Sequence, residues 1–433
     1  MQNNNVPIPF SRPYIGKEEE EAVLRVLRSG WLTTGKETIE FEKDFTDFFQ
    51  SINAREGRDL TGAGEPLYCM AVNSATSGLH LALEACGIEP GDLVLIPSMT
   101  FTATAEVARY LGAEAVFVDV LKDSFHMDPT ALEKTLERLN RGDYPYPPRN
   151  KPAETGGFGP RGRAKAVIPV HYGGLPCDME AILSIAKKYN LKVIEDAAHS
   201  FPSFVPDRKN PKSGQWAGLM GDVGVFSFYA TKTITTGEGG MVVTRNKASA
   251  DRIRIMRSHG IDRSVWNRYI DTNASWFYEV VAPGFKYNIP DLLSAIGRVQ
   301  LSRATELLSM RKKIAAFFDE AFCSDSHFAI PPTGPGDARH LYPLRLNLDK
   351  LSLNRDQFAL KLQEQGIGIS VHFIPLHIMP YYKKRYSLEE NDLPETLRSY
   401  RRVISLPLWP GMNEDQIDRI IKVVKNLGSE YTV

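Results

Sequence analysis

"GVFSFYATKTITTGEGGMVV", residues 224–243, places a single lysine, Lys232, between an apolar run and a turn that contains three glycines. An ammonium group is costly to bury, so a lysine beside an apolar run suggests a function for its amine. The glycines allow a backbone to approach a ligand closely. The alternative is a surface lysine beside a flexible loop. On the functional interpretation, we expect a strand to hold the lysine stem, and partial burial to lower the pKa of Lys232.

Apolar runs on the N-terminal side of this stretch alternate with single helical patterns. The runs are LVLIPS (93–98), AVFVDV (115–120), AVIPVHY (166–172) and KVIEDAA (192–198). Continuous β-branched runs joined by helices are typical of parallel strands that are covered on both faces. Residues 17–30 predict an amphipathic helix with Gly30 as a left-handed cap.

The pattern changes after Gln300, where long charged helices and a few strands follow. We therefore predict an α/β fold with a large, mostly parallel sheet domain over residues 1–300 and a smaller α+β domain over residues 301–433. Two segments rich in turn residues, 145–165 and 204–221, look inserted. We expect both to be solvated surface excursions; the alternative is that either forms a wall of the substrate pocket.

Composition excludes several classes of protein. The 433 residues carry 52 basic and 52 acidic side chains, so bulk charge attracts neither nucleic acid nor an anionic membrane. The four cysteines are dispersed, which argues against zinc, iron–sulfur or disulfide frameworks, and no metal site is predicted. Neither a signal peptide nor a membrane span is indicated. The sequence predicts a cytoplasmic protein.

Polar residues stand where ligands bind in α/β sheets, beyond strand ends. Asp196 closes KVIED, and Thr76 and Ser77 open a helix after a predicted strand. Each could be a simple helix cap. Taken together with Lys232, however, they form a phosphate cradle, an acid and an amine, the groups that pyridoxal 5′-phosphate (PLP) requires.

Several motifs, in order, resemble the DegT/DnrJ/EryC1/StrS family of PLP-dependent nucleotide-sugar aminotransferases, with the aspartate aminotransferase (type I) fold. The resemblance runs almost end to end. It is carried by SGWLTTGKETIEFE, IPSMTFTATAEVARYLGAEAVFVDV, VIPVHYGGLPCDMEAI, FSFYATKTITTGEGG, GFKYNIPDLLSAIGRVQL, SVHFIPLHIMPYY and ISLPLWPGM.

The resemblance implies roles for individual residues. Lys232 matches the Schiff-base lysine and Asp196 the partner of the pyridinium nitrogen. The other cofactor contacts that it implies are Thr76, Ser77 and Ser227 at the phosphate, Phe101 stacked on the ring, His199 near the ring hydroxyl, and Asn288 reaching the phosphate of a neighbouring subunit. Family segments on the sugar side contain Trp31, Thr33, Thr34, His372 and His377. Shared sites imply a homodimer.

The implied activity is transfer of an amino group from an amino acid, with glutamate as the expected donor, to a nucleotide-linked keto-sugar at C4, with pyridoxamine phosphate formed during turnover. The product would serve aminosugar or surface polysaccharide biosynthesis. Alternatives are a 3-keto-sugar aminotransferase, a PLP-dependent sugar dehydratase, and, from another class, a non-catalytic sugar-nucleotide sensor. Dehydratases of the family replace the lysine with histidine, whereas this chain keeps Lys232. It departs from the common pattern at Tyr229, where many members have histidine.

Overall fold

The fold is taken from a computed structural model, which describes residues 6–55, 59–60, 65–142, 162–207, 209–210, 212–262 and 277–433. Within these ranges, the α-helices of eight or more residues are α1 (Lys17–Ser29), α2 (Lys36–Arg55), α3 (Ala75–Ala85), α4 (Ala103–Tyr110), α5 (Pro129–Asn140), α6 (Met179–Tyr189), α7 (Lys247–Met256), α8 (Asp291–Ser302), α9 (Ala304–Phe322), α10 (Arg355–Glu364) and α13 (Glu414–Glu430). The shorter α-helices of the same ranges are α11 (Pro380–Tyr386) and α12 (Pro394–Tyr400). Gly30 caps α1 with φ of 75°, which confirms the predicted helix and its left-handed end.

A seven-stranded sheet forms the centre of the large unit, in the order β2-β10-β9-β6-β5-β3-β4. Its strands are β2 (Tyr68–Val72), β3 (Leu93–Pro97), β4 (Glu114–Val118), β5 (Ala164–Val167), β6 (Lys192–Asp196), β9 (Val223–Ser227) and β10 (Gly240–Thr244). Only β10 runs antiparallel to its neighbours, so the sheet is mostly parallel, as predicted.

Alternating side chains of the strands enter cores on opposite faces of this sheet. Val94 and Ile96 pack with residues of α3, α4 and α7, whereas Leu93 and Leu95 pack with residues of α5 and α6. On the face that α5 and α6 cover, the phenylalanines of α2 pack with Phe226 of β9. Coverage of both faces explains why the strands read as continuous apolar runs.

A smaller antiparallel sheet lies in the C-terminal part of the chain, with the order β11 (Phe328–Ala329), β12 (Tyr342–Leu346) and β13 (Val403–Leu406). Residues of α9, α10 and α13 cover it in one apolar core. Ile8 joins that core and bridges Ile367, while Tyr382 of α11 packs in the core of the large sheet. The predicted fold class is confirmed; the boundary at residue 300 stays a prediction.

The two predicted insertions differ. Residues 145–161 of the first lie outside the described residues. In the second, β7 (Phe204–Pro206) and β8 (Ser213–Trp216) form a hairpin, and β8 also pairs with β1 (Asp59–Leu60). Trp216 and Ala217 are buried. Trp216 packs in the aromatic core, and the Ala217 N–H donates to the Ser203 carbonyl. The expectation of a solvated excursion is therefore wrong for the C-terminal part of this segment.

Candidate active site

The ends of three large-sheet strands meet the start of α3. β6 ends at Asp196, β9 ends at Ser227, and Ser227 pairs with Gly240 at the start of β10. A Cβ at Gly240 would lie 2.8 Å from the backbone nitrogen of Ala75, so only glycine lets β10 pass this close to the helix. The first-turn N–H groups of α3 have no intrahelical acceptors and carry the positive end of the helix dipole. This edge of the sheet can therefore bind an anion.

Asp196 is buried, with 6% of its surface exposed, and its two oxygens have different donors. The Thr104 hydroxyl donates to Oδ2 at 2.8 Å, and the Ala198 N–H donates to Oδ1 at 3.2 Å. Thr104 in turn shares a 2.8 Å hydrogen bond with Thr100. Burial raises the pKa of Asp196, while these donors and the charge of Lys232 oppose the rise. A carboxylate at this position can neutralise one cation brought against it.

Lys232 is half-buried in a turn, not at the end of a strand. β9 ends five residues earlier, and the Lys232 N–H donates to the Tyr229 carbonyl at 2.9 Å. The Phe228 N–H donates to the Gly239 carbonyl, and the Phe228 carbonyl accepts the Thr236 N–H, so the chain turns after Phe228. The expectation that a strand holds the stem of Lys232 is therefore wrong. Burial lowers the pKa of Lys232 to about 8, as expected; the charge of Asp196 opposes this fall and that of Arg311 adds to it. A fraction of the amine is neutral near pH 7.

The predicted phosphate cradle lies at the N-terminus of α3. Ser74 is the N-cap, and its hydroxyl accepts the Ser77 N–H at 3.1 Å. The Ser77 hydroxyl lies 2.7 Å from both Asn73 Oδ1 and the Ser74 carbonyl, and Thr76 is half-buried beside it. Ser227, at the facing strand end, accepts the Tyr229 N–H at 3.3 Å. Capping and anion binding are compatible here, and the phosphate roles of Thr76, Ser77 and Ser227 stay predictions.

Three histidines surround the lysine, and two of them were predicted. The rings of His199 and His340 lie 4.5 Å apart, and His372 shares a 2.8 Å hydrogen bond with Ser405. Burial lowers the pKa of all three, with that of His372 at about 3, and the charge of Lys232 lowers each further. The rings are therefore neutral. The Gly173 N–H donates to His199 Nδ1 at 3.2 Å, which leaves the proton of that ring on Nε2.

Aromatic side chains form the rest of this wall. Phe373 lies 5.9 Å from His199 in a stacked arrangement and 6.1 Å from Phe101. Phe101 is 59% exposed, which is unusual for a phenylalanine that only fills a core. Its stacking role stays a prediction. His340 and Phe373 were missed, because neither stands in a strand-end pattern that sequence can show.

The remaining predicted residues lie in two separate places. Asn288 bridges Val72 in its own chain and donates to the Thr34 hydroxyl at 2.6 Å, while its Oδ1 is buried without a partner. Trp31 Nε1 donates to the Thr34 carbonyl, and the Thr33 carbonyl accepts the Asp291 N–H. These four residues form one cluster before α2.

His377 lies elsewhere and is fully buried. Its Nδ1 is 2.8 Å from the Ser98 hydroxyl, and its Nε2 is 3.1 Å from the Glu390 carbonyl. Both ring nitrogens thus have protein partners, and a role for His377 toward substrate stays a prediction.

Glu195 lies next to Asp196 but faces the opposite way. It is fully buried and accepts from His171 Nε2 at 2.9 Å and from the Gly218, Met220 and Gly221 N–H groups at 2.8, 2.6 and 2.6 Å. These donors occupy both of its oxygens, so Glu195 ties β6 to the turn after β8. The apolar pattern of β6 does not distinguish this structural acid from its neighbour; only the family resemblance selects Asp196.

Two further features of the described residues concern metals and membranes. Within them, no group of three or more His, Cys, Asp and Glu side chains is arranged to hold a metal ion. None of the helices in that part of the chain combines the length and the apolar character that crossing a membrane requires.

Comparison with known proteins gives consistent matches over nearly the whole chain. The model of the DegT/DnrJ/EryC1/StrS aminotransferase family matches residues 13–425. The spore coat polysaccharide biosynthesis protein SpsC of Bacillus subtilis is 38% identical over 431 residues, which cover 99% of this chain and 98% of SpsC.

Solved structures agree with these sequence matches. Spr1654 of Streptococcus pneumoniae, a sugar aminotransferase in its PMP form, superposes with a TM-score of 0.80 at 28% identity, over 98% of this chain and 99% of that one. Its PLP form gives 0.78. PseC of Helicobacter pylori, an aminotransferase of pseudoaminic acid biosynthesis, gives 0.79 at 25% identity, over 98% and 100%.

Proposed function

Since this chain belongs to the DegT/DnrJ/EryC1/StrS aminotransferase family and is a PLP-dependent sugar aminotransferase, we propose that it transfers an amino group from glutamate to C4 of a nucleotide-linked keto-sugar. The observation that carries the proposal is the pairing of a buried carboxylate, Asp196, with a half-buried amine, Lys232, whose pKa is lowered to about 8.

The residues present fit PLP, which the family implies. The groups that PLP needs are an amine of which a fraction is neutral near physiological pH, an acid for the ring nitrogen, and N–H donors for the phosphate. Lys232, Asp196 and the N-terminus of α3 offer these groups, and Gly240 leaves space at the helix start that a Cβ would fill.

Two residues perform the chemistry that we propose. When bound, PLP supplies an electron-accepting ring. Asp196, held by Thr104 and Ala198, keeps a negative charge against the ring nitrogen, which favours protonation there. The amine of Lys232 accepts the proton from the donor carbon at Nζ and returns it, because a base with a pKa near the working pH serves in both directions.

The sugar side of the pocket is expected at the exposed aromatic residues. Tyr229 is 47% exposed, and Phe373 stands 6.1 Å from Phe101, the residue expected to stack on the cofactor ring. Flat apolar faces of this kind suit sugar and nucleoside rings. Because SpsC is named for spore coat polysaccharide biosynthesis, we place the product of this chain in surface polysaccharide or aminosugar synthesis. Tyr229, at a position where many family members carry histidine, is expected to affect substrate choice.

We further propose a homodimer as the functional unit. The cluster of Asn288, Thr34 and Trp31 packs within one chain. The exposed Leu24, Leu27 and Leu32 lie on and just after α1, within the segment that leads into this cluster. A second copy that covers this surface would bring Asn288 to the phosphate of its partner.

The dispersed cysteines suit the cytoplasm as the compartment.

The decisive experiment presents the purified protein, loaded with PLP, with nucleotide 4-keto- and 3-keto-sugars and ¹⁵N-glutamate. The expected product is a sugar with ¹⁵N at C4, identified by mass spectrometry and NMR. Nitrogen at C3 would replace the 4-keto assignment, and a deoxygenated sugar without ¹⁵N would indicate a dehydratase. The holoprotein should be yellow, and borohydride should bleach it and fix the cofactor to Lys232. A colourless protein that takes up no PLP would favour a sugar-nucleotide sensor.

A further inference from the structure

Arg311 of α9 is almost completely buried, with 2% of its surface exposed, although its guanidinium carries a full charge. One of its terminal nitrogens donates to the His340 and Leu408 carbonyls at 3.2 and 2.9 Å. The other donates to the Thr231 and Lys232 carbonyls at 3.2 and 3.5 Å. A single side chain of α9 thus binds the backbone of Lys232 and of the preceding residue, and also the backbone of two segments in the C-terminal part of the chain.

Within the part of the chain that the structure describes, no carboxylate pairs with the charge of Arg311. All four of its acceptors are carbonyl oxygens, and its Nε has no partner among the described residues. A buried arginine without an acid is costly, because desolvation is offset only by dipoles. A neutral donor could make such hydrogen bonds to carbonyl oxygens at lower cost, so the charge itself calls for an explanation.

We propose that Arg311 is the positioning residue of Lys232: it ties the turn of the catalytic lysine to the C-terminal part of the chain and holds a positive charge near the amine of Lys232. This inference rests on the assignment of Lys232 as the lysine that binds PLP. It extends that assignment to a residue outside the pocket, on a helix that follows the lysine by about 80 positions.

The electrostatic consequence follows from all the groups around the amine. Asp196 raises the pKa of Lys232, whereas burial and Arg311 lower it. His199, His340 and His372 are neutral, since their own pKa values are lowered, and they add no charge. Arg311 is therefore the cation that acts with burial against Asp196, and its removal leaves burial alone to oppose the acid.

The test uses the cofactor-free full chain and the rate at which it takes up PLP, followed by visible absorption from pH 6 to pH 10. Only the neutral amine attacks PLP, so the midpoint of this profile reports the pKa of Lys232. In R311M the midpoint should rise by about half a pH unit, which slows uptake at pH 7 about threefold. R311K keeps the charge but loses the planar fork, so its midpoint should stay while its high-pH rate falls several-fold.

A matched control comes from Arg345, another buried arginine, which donates to the Asp123 and Ile330 carbonyls at 2.5 and 2.9 Å. Its charged neighbours are Asp123, Arg398 and Arg402, and Lys232 is not among them. R345M should lower the melting temperature and leave both the midpoint and the limiting rate of PLP uptake unchanged.

The outcomes separate the possibilities. If R311M and R311K melt earlier but take up PLP with the wild-type profile, Arg311 is only structural and the inference is overturned. If R311M does not fold, R311Q, which is neutral but still donates, replaces it under the same criteria. A wild-type protein that takes up no PLP would contradict the assignment of Lys232 itself, which distinguishes that failure from a failure of the inference.

Discussion

Glu195 and Asp196 are neighbours in β6, yet the surroundings of their carboxylates differ in every respect that matters for chemistry. Glu195, on the sealed side, is completely buried and accepts four hydrogen bonds, from His171 and from three backbone N–H groups. Asp196, on the pocket side, accepts one hydroxyl and one backbone N–H, and lies in the field of Lys232. The alternation of a strand sends the two side chains to opposite faces.

A functional acid differs from a structural one in how many hydrogen bonds its carboxylate accepts from the protein. A carboxylate oxygen can accept more than one hydrogen bond, and Glu195 has used this capacity on rigid backbone donors. Asp196 accepts only two hydrogen bonds among the described residues and lies near the amine of Lys232, whose pKa is lowered. A buried carboxylate whose acceptor capacity is fully used by protein donors has a structural role. A buried carboxylate with unused acceptor capacity, close to an amine of lowered pKa, indicates a functional role.

The largest effect is expected at the pocket side. Asp196→Ala removes the charge that favours a protonated ring nitrogen, so kcat/KM should fall about a thousandfold or more, equivalent to about 4 kcal/mol. Steady-state transamination with the best keto-sugar measures this. The melting temperature of the cofactor-free variant serves as the control and should change little. A variant with a near-normal rate would remove Asp196 from the mechanism.

The next effect is expected at the sealed side, on stability. In Glu195→Gln the amide NH2 must face either the Met220 and Gly221 N–H groups or those of Gly218 and His171, donor against donor in both orientations, which should cost about 3 kcal/mol of unfolding free energy. Urea titration of the cofactor-free protein measures it. Glu84→Gln is a matched control, because Glu84 pairs with the partly exposed Arg252 and should cost less than about 1 kcal/mol. Equal losses for the two variants would abolish the contrast between the two sides.

The smallest effect is a pH dependence of stability. The pKa of Lys232 is lowered from 10.5 to about 8 on folding, so the unfolded chain binds more protons between these values and stability rises with pH there. Lys232→Met lacks this gain. The stability of the wild type relative to this variant should therefore increase by about 1.5 kcal/mol from pH 8 to pH 9.5 in the cofactor-free protein. A constant difference across this range would show that the amine titrates normally.

Much of the fold could be predicted from local patterns. The apolar runs at 93–98, 115–120 and 192–198 became β3, β4 and β6, because strands buried on both faces must be apolar throughout. Strand ends then indicated where Asp196 and the start of α3 would lie. Family membership follows from motifs that stand in order over the whole chain.

Contacts between distant segments could not be predicted in this way. His340 and Arg311 lie near Lys232 in space but 108 and 79 positions further along the chain. Neither stands in a recognisable motif. The hydroxyl of Thr104 that binds Asp196 comes from α4. The turn that carries Lys232 was expected as a strand end, because local apolar character does not show where a ladder of hydrogen bonds stops.

The sequence by itself determined the alternation of helices and strands, the order of cradle, acid and amine, and through these the family. Those properties depend on residues close together in the chain. Only the tertiary structure decided which donors each of the two adjacent acids binds, and that the amine shares its surroundings with three neutral histidines and a buried arginine. Protonation depends on burial and on charges brought close through space, and neither can be read from one segment alone.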